Sequence, residues 1–300
     1  MTKLLFISPH LDDVVLSCGA YIASVAGTTA AVTIASVFTS SGEQDDAVVN
    51  ALYEVRRNDD IRAAALLGAT AIHLGFADAP LRNSHYHNFN TLLFHHQLPE
   101  QELPVAERIA ARLQSLVQTL QPDVVYFPLG VGGHIDHQVV YASSKMITHA
   151  TIRWYEDLPY AWLPGWSMVR MTQLQGVPDT ATAYGSFEAP AVTASTLRFI
   201  TSYISSEEDK ARSYAMWQHE WGLLRQPYQH VLQWQLPDGM YARQAHSMPL
   251  HSVLAKADAI SCYDTEWPAL FGEEKQDIEK TLLAAIHDNQ YQELFWCKTE

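Results

Sequence analysis

Two short segments hold most of the residues able to do chemistry. The first is Pro9-His10-Leu11-Asp12-Asp13, a histidine and two adjacent carboxylates directly after an apolar run. The second is Gly130-Val131-Gly132-Gly133-His134-Ile135-Asp136-His137, with two histidines three apart around a carboxylate after a glycine-rich turn. An aspartate at such a place can simply cap a helix and complement its dipole. That accounts for one carboxylate of the first segment, less readily for two, and not for His10. Taken together, one carboxylate and two imidazoles can hold Zn²⁺ with a position open for water, the pattern of a catalytic metal site. A second carboxylate nearby can take a proton as general base. A further carboxylate bonded to a histidine can keep that imidazole charged and aimed at a developing oxyanion. This inventory suits hydrolysis of an amide or an ester.

The elements that must position these residues alternate. Leu4–Ser8, Ala31–Phe38, Thr70–Leu74 and Asp123–Phe127 are apolar runs of the kind that build a parallel sheet buried on both faces. Between them lie helical patterns at Val14–Val25, Ala47–Leu67 and Pro104–Leu120, the second stopped by Gly68 and the third followed by Pro122. The expected fold is α/β: a Rossmann-like, doubly wound, mostly parallel sheet with a C-terminal elaboration. In the common doubly wound order the first and fourth strands are neighbours, and ligands bind beyond their carboxyl ends. Both motif segments follow such ends, so they should face one another across that crevice. In the second half, Trp154–Trp166 reads as a structured loop, and Ser206–Leu224 and Gln276–Asn289 read as helices. With no internal repeat, low-complexity tract or Gly/Ser linker, the expectation is one domain over 1–300. Its core, 1–150, carries the metal site, and 151–300 shapes a substrate pocket; two closely packed lobes are the alternative.

The composition narrows the partners. Among 300 residues, 19 are basic and 33 acidic, a formal net charge of −14 that argues against nonspecific binding to nucleic acid and against docking on anionic lipid. A neutral or cationic small substrate is compatible. Cys18, Cys262 and Cys297 have no metal-ligand spacing and read as free thiols in a reducing compartment. The charge-free stretch between Asp13 and Glu43 is broken by Gly19, Gly27, Thr28 and Thr29, so it reads as a buried helix and strand rather than a span of about 20 apolar residues. No secretory leader pattern opens the chain, and the expectation is a soluble, cytoplasmic protein.

At this point the sequence resembles the PIG-L/LmbE-like zinc-dependent de-N-acetylases of N-acetylglucosaminyl compounds. The signatures are an (A/P)HxDD motif after the first strand and a later HxDH motif, and both stand here. Phe38-Thr39-Ser40-Ser41-Gly42-Glu43 and Gly75-Phe76-Ala77-Asp78 are similar to the family's turns after strands two and three. Arg56-Arg57-Asn58-Asp59 with Leu67-Gly68 is similar to its RxxE…LG helix, with Asp59 in place of Glu. Trp154-Tyr155-Glu156-Asp157-Leu158-Pro159-Tyr160 is similar, less diagnostically, to a segment of longer bacterial members. The resemblance covers about residues 3–150. It implies that His10, Asp13 and His137 bind Zn²⁺, with Fe²⁺ or Co²⁺ also acceptable to such ligands. It implies Asp12 as general base, His134 as stabiliser of the oxyanion, and Asp136 as the group holding His134. Arg56 and Asp78 match positions that contact the sugar, and the implied partner is a small N-acetylated amino sugar. A catalytically silent binding homologue and a hydrolase of a non-sugar amide are the alternatives.

Other conspicuous residues read more plainly. His85, His87, His95 and His96 lie in a polar, Asn-rich stretch and suit a surface or lid better than a second metal site. Trp162, Trp166, Trp217 and Trp221 suit core or rim positions. The glycines of 130–133 lack the G-x-G-x-x-G order of a dinucleotide loop.

Overall fold

The computed structural model describes residues 1–42, 46–93, 95, 97–162, 166–175, 241–286 and 289–298. The strands are β1 (Thr2–Ser8), β2 (Ala30–Ser40), β3 (Thr70–Ala77), β4 (Val124–Pro128), β5 (Thr151–Tyr155), β6 (Ala242–Met248) and β7 (Tyr291–Cys297). They form one sheet in the order β3-β2-β1-β4-β5-β7-β6. β1 to β5 are parallel, β7 runs antiparallel to β5, and β6 antiparallel to β7. The fold is therefore α/β with a mostly parallel sheet. The winding reverses between β1 and β4, which are hydrogen-bonded neighbours. Their pairing is sealed by aromatic stacking: Phe6 and Tyr126 share a register position, and their rings lie parallel with centroids 4.4 Å apart.

The helices are α1 (Asp13–Val25), α2 (Ala47–Leu66), α3 (Ala79–Arg82), α4 (Phe89–Leu92), α5 (Leu103–Leu120), α6 (Ile135–Ser144), α7 (Trp166–Gln175), α8 (Leu250–Ile260), α9 (Trp267–Phe271) and α10 (Gln276–Ala284). The charge-free stretch after Asp13 is α1, buried along most of its length, followed by β2. Among the described residues no helix is long and apolar enough to cross a membrane. Two expectations for the second half change. The stretch Trp154–Trp166 begins inside a strand, because β-branched and aromatic side chains at Thr151–Tyr155 suit a pleated surface and Trp154 and Tyr155 are buried there. The last helix stops at Ala284, short of Asn289. The segment Ser206–Leu224, with Trp217 and Trp221, lies outside the described residues.

The C-terminal strands and helices are fastened to the first helix by a buried ion pair. Lys256 of α8 donates to Glu293 Oε1 at 2.7 Å and to the Tyr291 hydroxyl at 2.8 Å. Glu293 also accepts from the backbone N–H groups of Ala20 and Tyr21 on α1. Gly19 makes this approach possible: a Cβ there would stand 2.9 Å from Lys256 Cγ. Burial alone would depress the Lys256 pKa, but Glu293 and then Tyr291 outweigh it and hold the ammonium charged well above the usual lysine range. A folded-state pKa raised in this way gives stability that is complete below the unfolded value of about 10.4 and lost as pH rises beyond it. Lys256→Met should therefore cost about 3–5 kcal/mol at neutral pH, because it strands a buried carboxylate. The cost measured by denaturant unfolding should shrink above about pH 10.4; a pH-independent cost would show that packing, not charge, is what Lys256 supplies.

Candidate active site

Four segments of the site leave the carboxyl end of a parallel strand. His10 to Asp13 follow β1, Asp78 follows β3, the glycine turn and His134 to His137 follow β4, and Asp157 follows β5. Each turn has a local cause. Asp13 opens α1 and folds its carboxylate back onto the His10 backbone N–H at 2.7 Å, fixing His10 over the helix start. The glycine turn needs φ near +80° at both Gly130 and Gly132. At Gly132 a Cβ would stand 2.4 Å from the Tyr160 ring, so no other residue fits beneath that tyrosine. His134 then caps α6, its Nδ1 accepting from the Asp136 backbone N–H at 3.1 Å.

The eight residues singled out from sequence come together. Seven of them line one cavity of about 380 Å³: His10, Asp12, Asp13, Arg56, Asp78, His134 and Asp136. The eighth, His137, is fully buried with Nε2 3.3 Å from Asp13 Oδ2. His10 Nδ1 lies 3.2 Å from the same Asp13 oxygen. Ligand atoms of His10, Asp13 and His137 all lie within 4.8 Å of one another, close enough to share one ion. His137 Nε2 makes no hydrogen bond although it is buried. Its other ring nitrogen, Nδ1, donates to Asp157 Oδ1 at 2.6 Å, so in the neutral ring Nε2 is the lone pair that faces Asp13; burial favours that form, while Asp13 and Asp157 outweigh it and push the His137 pKa up to about 9. His10 has the same construction, with Nε2 bonded to Asp136 Oδ2 at 3.1 Å and Nδ1 turned to Asp13. A buried imidazole lone pair beside a carboxylate, backed by a second carboxylate, is the donor set a divalent ion needs. His10, His134 and Asp136 could also surround an ion. There, however, His134 Nδ1 and the Asp136 oxygens already have hydrogen-bond partners.

One assignment implied by the resemblance changes. Asp136 does hold His134, but through its backbone N–H. Its carboxylate is directed away, to Arg82 at 2.6 Å, the Ala79 N–H at 2.9 Å and His10. The cause is the helix start: His134 occupies the capping position, so its ring folds onto the first-turn amide and the residue-136 side chain points back under His10. With Nδ1 accepting from an amide, the ring proton of His134 belongs on Nε2. Burial, with His10 nearby, holds the His134 pKa well below the usual histidine range, so this ring donates as a neutral imidazole. Burial would raise Asp136, but Arg82 and His10 overcome it and keep the carboxylate ionised. Burial, Asp13 and Glu266 push Asp12 up to about 7, which leaves it able to accept and return a proton near neutrality.

Sequence reasoning missed Asp157, Arg82 and Glu266. Asp157 is fully buried and also accepts from the Gly130 and Val131 N–H groups, so one carboxylate holds both the glycine turn and His137. Its signal was present: a charged pair, Glu156-Asp157, directly after an apolar segment beside the fourth strand. Glu266 closes the far wall, 2.6 Å from Arg56 Nε, and Arg56 Nη1 lies 3.9 Å from Asp78 Oδ2. Of the other histidines, His87 and His95 bond backbone carbonyls, and neither they nor His85 join a possible ligand group among the described residues. His96 lies outside those residues.

A strand-end site of two histidine motifs on a doubly wound sheet defines a class. Residues 5–147 match the family model described as PIG-L, GlcNAc-PI de-N-acetylase. A 2'-N-acetylparomamine deacetylase of Streptomyces fradiae is 33% identical over 168 residues, which span 53% of this chain and 58% of that protein. Among solved structures, an A40926 pseudoaglycone deacetylase aligns over 99% of this chain and 96% of its own at TM-score 0.58 and 22% identity. A teicoplanin deacetylase, solved in a zinc-inhibited form, aligns over 98% and 97% at TM-score 0.61 and 19% identity. These two share the fold.

If the buried carboxylates set the tautomers of the two ligand histidines, Asp157→Asn and Asp136→Asn should each weaken metal binding by about 10–100-fold. Competition of the loaded protein against a chromogenic chelator reads this directly. Unchanged affinity in both variants would reduce these carboxylates to packing.

Proposed function

We propose that this protein is a metal-dependent deacetylase that removes the acetyl group from the amine of an N-acetylglucosamine-type amino sugar. What carries the reading is that Asp12, half-buried and next to Asp13 in the chain, lines one cavity together with His134. A divalent ion held by His10, Asp13 and His137 would supply a Lewis acid and lower the pKa of water to about 7. Asp12 takes a proton from the attacking water as its oxygen bonds to the acetyl carbon. His134, donating from Nε2, offers a hydrogen bond to the carbonyl oxygen as it gains charge. When the C–N bond breaks, Asp12 returns the proton to the departing amine, and acetate is released. Tyr160, Pro159, Leu92 and Leu270 give the cavity apolar wall, which suits an acetyl methyl and a sugar face. Similarity to the Streptomyces fradiae enzyme supports an acetylated amino sugar as the substrate class. Free Cys18, Cys262 and Cys297 fit a reducing cytoplasm.

The roles of the adjacent aspartates separate in a test. Asp12→Asn should keep its metal and lose about 10²–10⁴ in kcat, while Asp13→Asn should lose metal affinity. His134→Ala should keep its metal and lose roughly 10²–10³ in kcat. Chelator treatment of the native protein should abolish acetate release from N-acetylated amino sugars, and a divalent ion should restore it. Full turnover by rigorously metal-free protein, or near-normal turnover by all three variants, would contradict the proposal.

A further inference from the structure

Arg82 is the cation behind His10, and two buried carboxylates share it. Its Nη1 donates to Asp136 Oδ1 at 2.6 Å and to the Ala77 carbonyl at 2.8 Å. Its Nη2 donates to Glu102 Oε2 at 2.9 Å, and its Nε is buried without a hydrogen bond. A guanidinium and a carboxylate usually meet side by side, through two parallel hydrogen bonds. Here Asp136 receives one arm only. Its other oxygen, Oδ2, accepts from the Ala79 N–H at 2.9 Å and bonds His10 Nε2 at 3.1 Å.

Glu102 is what occupies the second arm. It stands directly before α5, where an acidic side chain is favoured by the free amides and dipole of the helix start. This one makes no capping bond, and its carboxylate is buried against Arg82 instead. Its backbone is fixed as well, the Glu102 N–H donating to the Pro99 carbonyl at 2.9 Å. The Arg82 guanidinium lies over the Phe38 ring, 4.8 Å from its centre, and so is held from a third side. A released Nη2 would be drawn to Asp136 Oδ2, because that bond completes the fork. There it would compete with His10, whose bond to Oδ2 fixes which ring nitrogen faces Asp13.

We infer that Glu102 is a positioning residue for the metal site: by holding the second arm of Arg82 it reserves one Asp136 oxygen for His10. The inference rests on the metal-dependent reading above and deepens it. It extends the support of the site to the start of α5, a helix that contributes no side chain to the cavity wall.

The experiment measures Zn²⁺ affinity by competition with a chromogenic chelator, beside the urea-unfolding midpoint of the metal-free chain. Glu102→Leu should weaken Zn²⁺ binding by about tenfold or more, the range for losing a group that orients a metal ligand. Glu102→Gln keeps an uncharged acceptor for Nη2, and its loss should be smaller, roughly threefold. Arg82→Lys replaces the fork with a single ammonium that has no second arm to release. In that background neither Glu102 substitution should add more than about twofold, the non-additivity of residues that act through one partner. Should Glu102→Leu fail to fold, Glu102→Gln alone and paired with Arg82→Lys decides. A fall in the unfolding midpoint with Zn²⁺ affinity unchanged would overturn the inference alone, as would losses that simply add in the Arg82→Lys background. Native protein that takes no Zn²⁺ from the chelator would overturn the metal-dependent reading and the inference with it.

Discussion

The hydrogen bond from His137 Nδ1 to Asp157, 2.6 Å long and closed to solvent, decides what the rest of the site can be. A neutral imidazole has one donor and one acceptor nitrogen. Once Asp157 takes the donor, the other nitrogen is an acceptor held in a fixed direction, toward the Asp13 oxygen that His10 also faces. Asp136 does the same for His10 from the opposite side and is kept ionised by Arg82. The result is a donor set organised before any ion arrives. Little remains for binding to rearrange, and Asp12 and His134 keep their places beside it.

That arrangement depends on a topology rather than on one loop. The reversal of winding between β1 and β4 brings the two histidine motifs together, and β5, as the next neighbour, delivers Asp157 to the same edge. β7 and β6 then continue the sheet, so the C-terminal region shares the core instead of hanging from it. Through Lys256 and Glu293 it is locked to α1, the helix that begins at Asp13. Through Tyr263 and Glu266 it reaches α2 and closes the cavity. The C-terminal region thus supplies one wall of the cavity, through Thr265, Glu266, Ala269 and Leu270.

The candidate site was readable from the sequence wherever residue type and strand ends coincided. His10, Asp12, Asp13, His134 and His137 follow apolar runs that can only be buried strands, and a doubly wound order puts those ends side by side. The partners of those residues were not readable, because they come from distant chain positions. Arg82 meets Asp136 across 54 residues, and Tyr263 meets Asp60 across 203. The direction of the Asp136 carboxylate was misjudged for a local reason: a histidine in the capping position takes the helix amide for itself. The aromatic and proline-rich run from Trp154 reads as loop, whereas Trp154 and Tyr155 end β5, and this hides the strand end that delivers Asp157.

The most direct test of this account is anomalous diffraction at a metal absorption edge, from crystals of the protein grown with a divalent ion. The account predicts one strong peak per chain, bonded to His10 Nδ1, Asp13 Oδ2 and His137 Nε2, with the Asp136 and Asp157 carboxylates still hydrogen-bonded to the far nitrogens of the two rings. A peak that engages His134 in place of His137, or density in which Asp136 has left His10 for the His134 side chain, would contradict it.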